Sequence, residues 1–144
     1  MKPYAWTNIA LGMAFGWHML SPNAPYQQGA AYTDDDTLKA IVLLTDGAQT
    51  AHSWGPDGKQ SKKNGENNLE TMCQNIKSIN LDPDNPKLII ITVAFDLNHA
   101  PTVNRLRTCA SGDEHFYEAQ DNAQLSAAFD NITKQLGKAI ALTK

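Results

Sequence analysis

KAIVLLTDGAQT, residues 39–50, is the segment that decides the fold of this chain. Residues 39–45 are apolar on both alternating faces after the initial lysine, the pattern of a parallel strand that helices cover on each side. The apolar run ends in Asp46, and Gly47 then lets the backbone turn away sharply. An acidic side chain therefore stands where a buried strand comes to the surface.

The rest of the chain alternates helical patterns with strand patterns. KLIIITVAF at 87–95 is a second strand apolar on both faces, it ends before Asp96, and HFYEA at 115–119 is a short third strand. The alternation predicts an α/β fold in three layers, with a mostly parallel sheet, helices on both faces and right-handed crossovers. We expect residues 1–144 to form one domain.

Four helices are predicted from apolar spacing and cap residues. Thr7 is the expected N-cap of the first helix, and SPNAP at 21–25 ends it. Its predicted buried side chains are Ile9, Met13, Trp17 and Leu20. A helix at 67–79 buries Leu69, Met72, Cys73, Ile76 and Ile79, and a short helix covers 102–110. Asp121 and Gln124 start the last helix, whose predicted buried face is Leu125, Phe129, Ile132, Leu136 and Ile140.

Composition restricts the classes of partner. The 144 residues are 42% hydrophobic and 19% charged, which suits a globular domain with a core. The net charge of −3 gives no electrostatic reason to expect a nucleic-acid partner, and the basic cluster of Lys59, Lys62 and Lys63 is interpreted as a solvated loop. No apolar run approaches the length of about 20 residues that crosses a bilayer.

Three oxygen-bearing side chains are expected at one edge of the sheet. Asp46 and Asp96 each follow a strand and Thr7 begins a helix, and parallel strands place all three at their carboxyl ends. Carboxylate and hydroxyl oxygens suit Mg²⁺ or Mn²⁺ rather than zinc. The alternative, equally open from spacing alone, is that Asp46 caps the following loop and Thr7 merely caps its helix.

The stretch 48–68 is too long for a plain connection and is rich in Gly, Lys, Asn and Ser. Such a loop is usually either mobile or functional. It carries His52 and Trp54, which could contact a partner; the alternative is that both are ordinary loop residues.

A wider series of segments resembles a known family. TDG after an apolar strand, with an upstream Thr at the start of a helix, resembles the second and third segments of the metal-ion-dependent adhesion site in von Willebrand factor A domains. WTNIALGMAFGWHMLSPNAP, KAIVLLTDG, IITVAFD, CAS and HFYEAQDNAQLSAAFDNITKQLGKAIALTK together resemble the C-terminal part of the A-type domain of tight-adherence (TadG-like) pilus assembly proteins. The resemblance covers nearly the whole chain.

The resemblance implies Thr7 and Asp46 as metal ligands, with Asp96 as an accessory group at the same edge. It also implies that a first strand and an Asp-x-Ser-x-Ser motif, which supplies most of the ligands in A domains, are absent from these residues. We therefore expect magnesium in the complete domain, weak or no magnesium binding by this chain alone, and self-association through the uncovered sheet.

Cys73 and Cys109 are an even pair placed around one crossover, and two buried thiols are the alternative to a bond. The resemblance implies a Cys73–Cys109 disulfide, a periplasmic or other extracytoplasmic location in the cell envelope, and a parent protein anchored by a membrane segment that lies outside this sequence.

Three functions follow as expectations. The first is a protein-binding module in pilus assembly or adhesion, with a pilin or another assembly component as partner. The second is a metal-assisted hydrolase using Asp46, Asp96 and His99, although no nucleophile is paired with a base and no phosphate loop occurs. The third is a structural remnant without metal binding. We expect no enzymatic activity.

Overall fold

The computed structural model describes residues 6–80 and 86–142, and these residues form an α/β fold around a parallel sheet. The strands are β1 (Lys39–Thr45), β2 (Ser53–Trp54), β3 (Gln60–Ser61), β4 (Leu88–Phe95) and β5 (Phe116–Ala119). The helices are α1 (Ile9–Leu20), α2 (Lys62–Lys77), α3 (Ala100–Cys109) and α4 (Asn122–Leu142), with a 3-10 turn at Asp113–His115.

The main sheet has three strands in the order β1-β4-β5, and both pairings are parallel. Ile41 lies opposite Ile90, and Thr92 lies opposite Phe116. This confirms the predicted α/β class and the parallel sheet. The small β2–β3 hairpin is antiparallel and stands apart from this sheet.

Helices pack against both faces of the sheet. One face carries α1, α2 and α3, and its cluster includes Met13, Ile41, Leu69, Ile90 and Leu106. On the other face, Ile132 of α4 packs against alternate side chains of β4, namely Ile89, Ile91 and Val93. Because β4 has a neighbouring strand on each side and helices above and below, it is buried along nearly its whole length.

The prediction that helices cover both faces of β1 is wrong. Ile41 and Leu43 are buried beneath α1 and α2, but Val42 and Leu44 on the other face are 40% and 45% exposed. The reason is the position of β1 at the edge of the sheet, since α4 covers β4 and β5 instead.

The predicted cap of α1 is wrong by one residue. The helix begins at Ile9 with Asn8 as its N-cap, and the side chain of Asn8 accepts the N–H of Leu11 at 3.1 Å. Thr7 instead precedes the helix and is hydrogen-bonded to the segment after β1, as described below. The predicted buried side chains of this helix are correct, because Ile9 and Met13 are in the core and Trp17 and Leu20 pack against it.

The helix predicted at 67–79 begins earlier and ends earlier than expected. It starts at Lys62, where the hydroxyl of Ser61 accepts the N–H of Asn64 at 3.0 Å, and it ends at Lys77. The predicted loop at 48–68 therefore contains a hairpin and the first turns of α2. The buried stripe is confirmed for Leu69, Cys73 and Ile76, whereas Ile79 lies beyond the helix.

The start of α4 is confirmed and its buried face needs a correction. The Gln124 N–H donates to Asp121 Oδ1 at 2.8 Å, as the cap prediction requires. Phe129 is 41% exposed, and the neighbouring Ala128 is buried in its place, so the helix is rotated relative to the predicted stripe. Leu125, Ile132 and Leu136 do pack on the sheet, while the side chain of Ile140 lies outside the described residues.

Cys73 of α2 and Cys109 of α3 form a disulfide, with an S–S distance of 2.00 Å and a Cα separation of 5.2 Å. It joins two helices on the same face of the sheet, across one crossover through β4. Within the described ranges, no helix is long and apolar enough to cross a membrane.

Candidate functional site at the carboxyl edge of the sheet

Asp46 and Asp96 lie at the same edge of the sheet, because β1 and β4 run parallel and each acid follows its strand directly. Asp96 has a left-handed backbone with φ of 46°, a conformation that Asp tolerates better than most residues. Its N–H donates to the carbonyl of Ala119 at 2.8 Å, which ties the end of β4 to the end of β5.

Thr7 is fastened to the segment that follows Asp46. Its N–H donates to Thr50 Oγ1 at 2.6 Å, and its carbonyl accepts the N–H groups of Thr50 and Ala51 at 2.9 and 3.0 Å. The Thr7 hydroxyl lies directly against Gly47, since a Cβ on that glycine would be 3.1 Å from Thr7 Oγ1. Thr7 therefore lies beside the Asp46–Gly47 turn, and the role of Thr7 and Asp46 as metal ligands stays a prediction.

The turn at Asp46–Gly47 is held from within by Thr45. Its buried hydroxyl donates to the carbonyl of Gly47 at 2.9 Å and accepts the Gly47 N–H at 3.3 Å. The turn therefore leaves the Asp46 side chain exposed at the edge. The sequence analysis did not predict this role of Thr45. The available signal was its place directly before Asp-Gly, because Ser and Thr hydroxyls often bond to the backbone of a following turn.

Gln49 connects this edge to the start of α1, and the sequence reading missed it. Only 2% of Gln49 is exposed, and its Oε1 accepts the N–H groups of Ile9 and Ala10 at 2.7 and 3.4 Å. Its Nε2 donates to the Ala51 carbonyl at 2.8 Å and to Asn8 Oδ1 at 3.3 Å. Gln49 thereby satisfies two of the N–H groups that a helix start leaves without partners.

Exposed aromatic side chains are found next to Thr7 and in the hairpin that follows this edge. Trp6 is 62% exposed, and its ring meets that of His52 edge to face with centroids 6.2 Å apart. Trp54 in β2 is 65% exposed. His52 and Trp54 were sequence candidates; Trp6 was not, although its position next to Thr7 was the available signal.

A groove of about 500 Å³ lies between α1, α2 and the hairpin. Apolar side chains and neutral polar ones line it together, among them Asn8, Leu11, Ser53, Pro56 and Met72. No charged side chain is among its lining residues, so the groove suits an uncharged or apolar segment of a partner.

The donors at this edge fit part of a magnesium site. A Thr hydroxyl and an Asp carboxylate are hard oxygen ligands, and Mg²⁺ takes about six such oxygens, some of them from water. Within residues 6–80 and 86–142, no group of three or more His, Cys, Asp or Glu side chains could hold a metal ion. The types of oxygen donor at this edge therefore fit Mg²⁺, but they are fewer than the roughly six that it takes.

His99, the third residue of the hydrolase interpretation, has its ring engaged by the next helix. His99 is the N-cap residue of α3, and its Nδ1 pairs with Thr102 Oγ1 at 2.8 Å. This contact fixes the imidazole ring at the start of α3 and occupies one of its two nitrogens.

No family model matches this chain, and no curated protein or solved structure matches it significantly.

Proposed function

We propose that this chain is a protein-recognition domain of the von Willebrand factor A type, which acts in pilus assembly or adhesion at the bacterial cell envelope. The observation that carries the proposal is the contact of Thr7 with the Asp46–Gly47 turn, because it brings together two segments far apart in sequence at the edge of the sheet where α/β folds bind ligands. The order of helices and strands and the TDG sequence support the same assignment.

The disulfide supports the proposed location. Bonds such as Cys73–Cys109 form and persist in oxidising compartments, and the bacterial periplasm is one of them. The bond also closes a long segment that includes the central strand β4, so it braces the fold on which the edge is built.

Thr7 and Asp46 are the residues that would hold Mg²⁺ or Mn²⁺ at this edge. A bound cation would supply a positive charge for a carboxylate of the partner protein. Three features of this edge would form the rest of the partner-binding surface. They are the exposed carboxylate of Asp46, the Thr7 backbone held by Thr50 and Ala51, and the aromatic rings of Trp6 and His52.

Trp54 is the side chain that we expect to contribute most to partner binding. Exposed tryptophans are enriched among residues that dominate interface energies, because they bury a large apolar area at small entropic cost. Trp54 is 65% exposed and lies on the short β2–β3 hairpin beside the uncharged groove. The proposed partner surface therefore combines the Asp46 edge, Trp54 and the groove.

The direct test is binding of the folded, disulfide-bonded chain to a purified tight-adherence pilin or assembly subunit by biolayer interferometry. Trp54→Ala should weaken binding about 30-fold, the effect of losing a hot-spot residue. Phe129→Ala is the matched control, because Phe129 is also an exposed aromatic residue but belongs to α4 on the opposite face. Equal loss in both variants would show that the edge is not the recognition surface.

A second binding experiment tests the role of the Asp46 carboxylate. Asp46→Asn should weaken binding of the same subunit, and the remaining affinity should no longer depend on magnesium. If purified pilus subunits bind the wild-type chain and Asp46→Asn alike, with and without magnesium, the proposed edge site is wrong and the structural-remnant interpretation is favoured.

A further inference from the structure

The outer edge of β1 carries unpaired backbone groups. The Lys39 N–H donates to the Lys87 carbonyl at 3.3 Å, so Lys39 faces β4, and alternate residues of a parallel strand face opposite sides. The N–H and C=O groups of Ala40, Val42 and Leu44 consequently point away from β4. In the described ranges no strand lies on that side of β1.

Apolar side chains are uncovered along the same edge. Val42 and Leu44 are 40% and 45% exposed, next to the β4 side chains that α4 covers. Edge strands are usually protected by proline, a bulge or an outward lysine. Residues 40–44 contain none of these, and Lys39 is buried, with its Nζ donating to the carbonyl of Ala30.

One flank of α1 borders the same edge from the other face of the sheet. Ala10 and Ala14 line the groove on the side of α2, and Met13 faces the core. At 100° per residue from Met13, Phe15 lies at about 200° and points mainly to solvent, where its ring meets that of Tyr26 edge to face, whereas Met19 lies at about 240°, on the flank away from α2. These side chains are 57% and 43% exposed.

We infer that β1 pairs in antiparallel fashion with β1 of a second copy of this chain, about a two-fold axis through Val42. Residues with free backbone groups then face each other: Val42 opposite its own copy, and Ala40 opposite Leu44. The pairing forms about six backbone hydrogen bonds and joins the two sheets into one. The strand is self-complementary because a small side chain faces a large one and no charged side chain lies between residues 40 and 44.

The area is sufficient for a weak dimer. Val42, Leu44 and Met19 are 40%, 45% and 43% exposed, which offers on the order of 250 Å² of apolar area per copy. With the backbone edge added, each copy still buries less than the roughly 800 Å² of a standard interface, so the dimer is a weak one. We therefore expect dimerisation that depends strongly on concentration.

This dimer surface is separate from the proposed partner surface, so each can fail without the other. Trp54 and the groove belong to the α1–α2 side near the hairpin, whereas Val42 and Leu44 face the α4 side. Trp54→Ala should leave the dimer unchanged, and a variant that abolishes the dimer should keep partner binding.

Sedimentation velocity of the wild-type chain over a range of concentrations is the first test, and it should show a monomer–dimer equilibrium. Val42→Lys should shift the equilibrium to monomer by at least tenfold in dissociation constant, with an unchanged far-UV circular dichroism spectrum. Phe129→Lys is the matched control, because Phe129 is similarly exposed on α4. A chain that stays monomeric at all concentrations, or a dimer that Val42→Lys leaves intact, would overturn the inference.

A cysteine at the two-fold axis tests the register and does not depend on affinity. Paired residues in this geometry have Cα atoms about 5.5 Å apart, within the range that a disulfide spans. Val42→Cys should therefore form a covalent dimer under mild oxidation, whereas Phe129→Cys should not. A dimer in which Val42→Cys fails to link would contradict this pairing.

Discussion

Replacing Gly65 by alanine should destabilise the protein, although the residue lies inside a helix. Gly-to-Ala changes in helix interiors normally stabilise by about 1 kcal/mol. At Gly65, the added Cβ would lie 2.6 Å from Nε2, 3.0 Å from Cδ and 3.1 Å from Cγ of Gln49. Gln49 is buried and therefore has to move.

The cost follows from what Gln49 does. If Gln49 moves, two hydrogen bonds are lost. The Ile9 N–H loses its acceptor, Gln49 Oε1, now at 2.7 Å, and the Ala51 carbonyl loses its donor, Gln49 Nε2, now at 2.8 Å. A buried polar group left without its partner costs about 1–3 kcal/mol. Two such losses outweigh the helix gain, and we expect Gly65→Ala to lower the free energy of unfolding by about 3 kcal/mol.

Gly12→Ala is the matched control, because Gly12 is the fourth residue of α1 as Gly65 is the fourth of α2. A Cβ at Gly12 meets nothing within 4 Å, so this variant should gain up to about 1 kcal/mol. Urea unfolding at a concentration where the chain is monomeric measures both. If Gly65→Ala proves as stable as Gly12→Ala, the assignment of Gln49 as the clamp between α1 and the β1 edge is refuted.

Three further outcomes are expected. Replacing Cys73 and Cys109 by serine should cost about 4 kcal/mol in the chain-entropy model, measured by urea unfolding against the oxidised wild type; a loss below about 1 kcal/mol would contradict it. The Thr37 hydroxyl, 2.7 Å from Asp34, holds the pKa of that carboxyl below its usual 3.8, so the associated stability is present above pH 3.8 and disappears as the pH falls through the lowered pKa. Thr37→Val should raise this pKa toward 3.8 in a carboxyl NMR titration, and an unchanged value would show that the contact is absent in solution. Asn8→Ala should cost about 1 kcal/mol through loss of the α1 cap, and a cost near zero in thermal unfolding would argue against that cap.

The sequence predicted the elements whose signals are local. The runs at 39–45 and 87–95 are apolar on both faces, and they are the paired parallel strands β1 and β4. Strand polarity then placed Asp46 and Asp96 at one edge. The Asp121 cap of α4 was likewise predictable, because its partner is three residues away.

Tertiary contacts determined the features that sequence reasoning missed. Thr7 and Asn8 are both good cap residues, and bonds from Thr7 to Thr50 decide that Asn8 becomes the cap. Gln49 reaches α1 across about forty residues of chain, which no periodic pattern reports. Val42 is apolar like the buried residues around it, and its exposure depends on the position of β1 in the sheet order.

The start of α2 and the orientation of α4 were missed for related reasons. Residues 62–68 are polar and include Gly65, so they lack an apolar stripe, yet the hairpin packs on them and they are helical. Phe129 continued the predicted stripe of α4, but tertiary packing buries the neighbouring Ala128 and leaves Phe129 41% exposed.

A magnesium titration followed by amide-resolved NMR on the folded, disulfide-bonded chain tests the central claim that Thr7 and Asp46 share one site. We predict chemical-shift changes centred on residues 7 and 46–47, with half-saturation at millimolar concentration or above, because Thr7 and Asp46 would supply only a few of the roughly six oxygens that Mg²⁺ takes. Asp46→Asn should remove these changes. Changes centred elsewhere, none at this edge, or micromolar binding to a monomer that Asp46→Asn leaves intact would contradict the account.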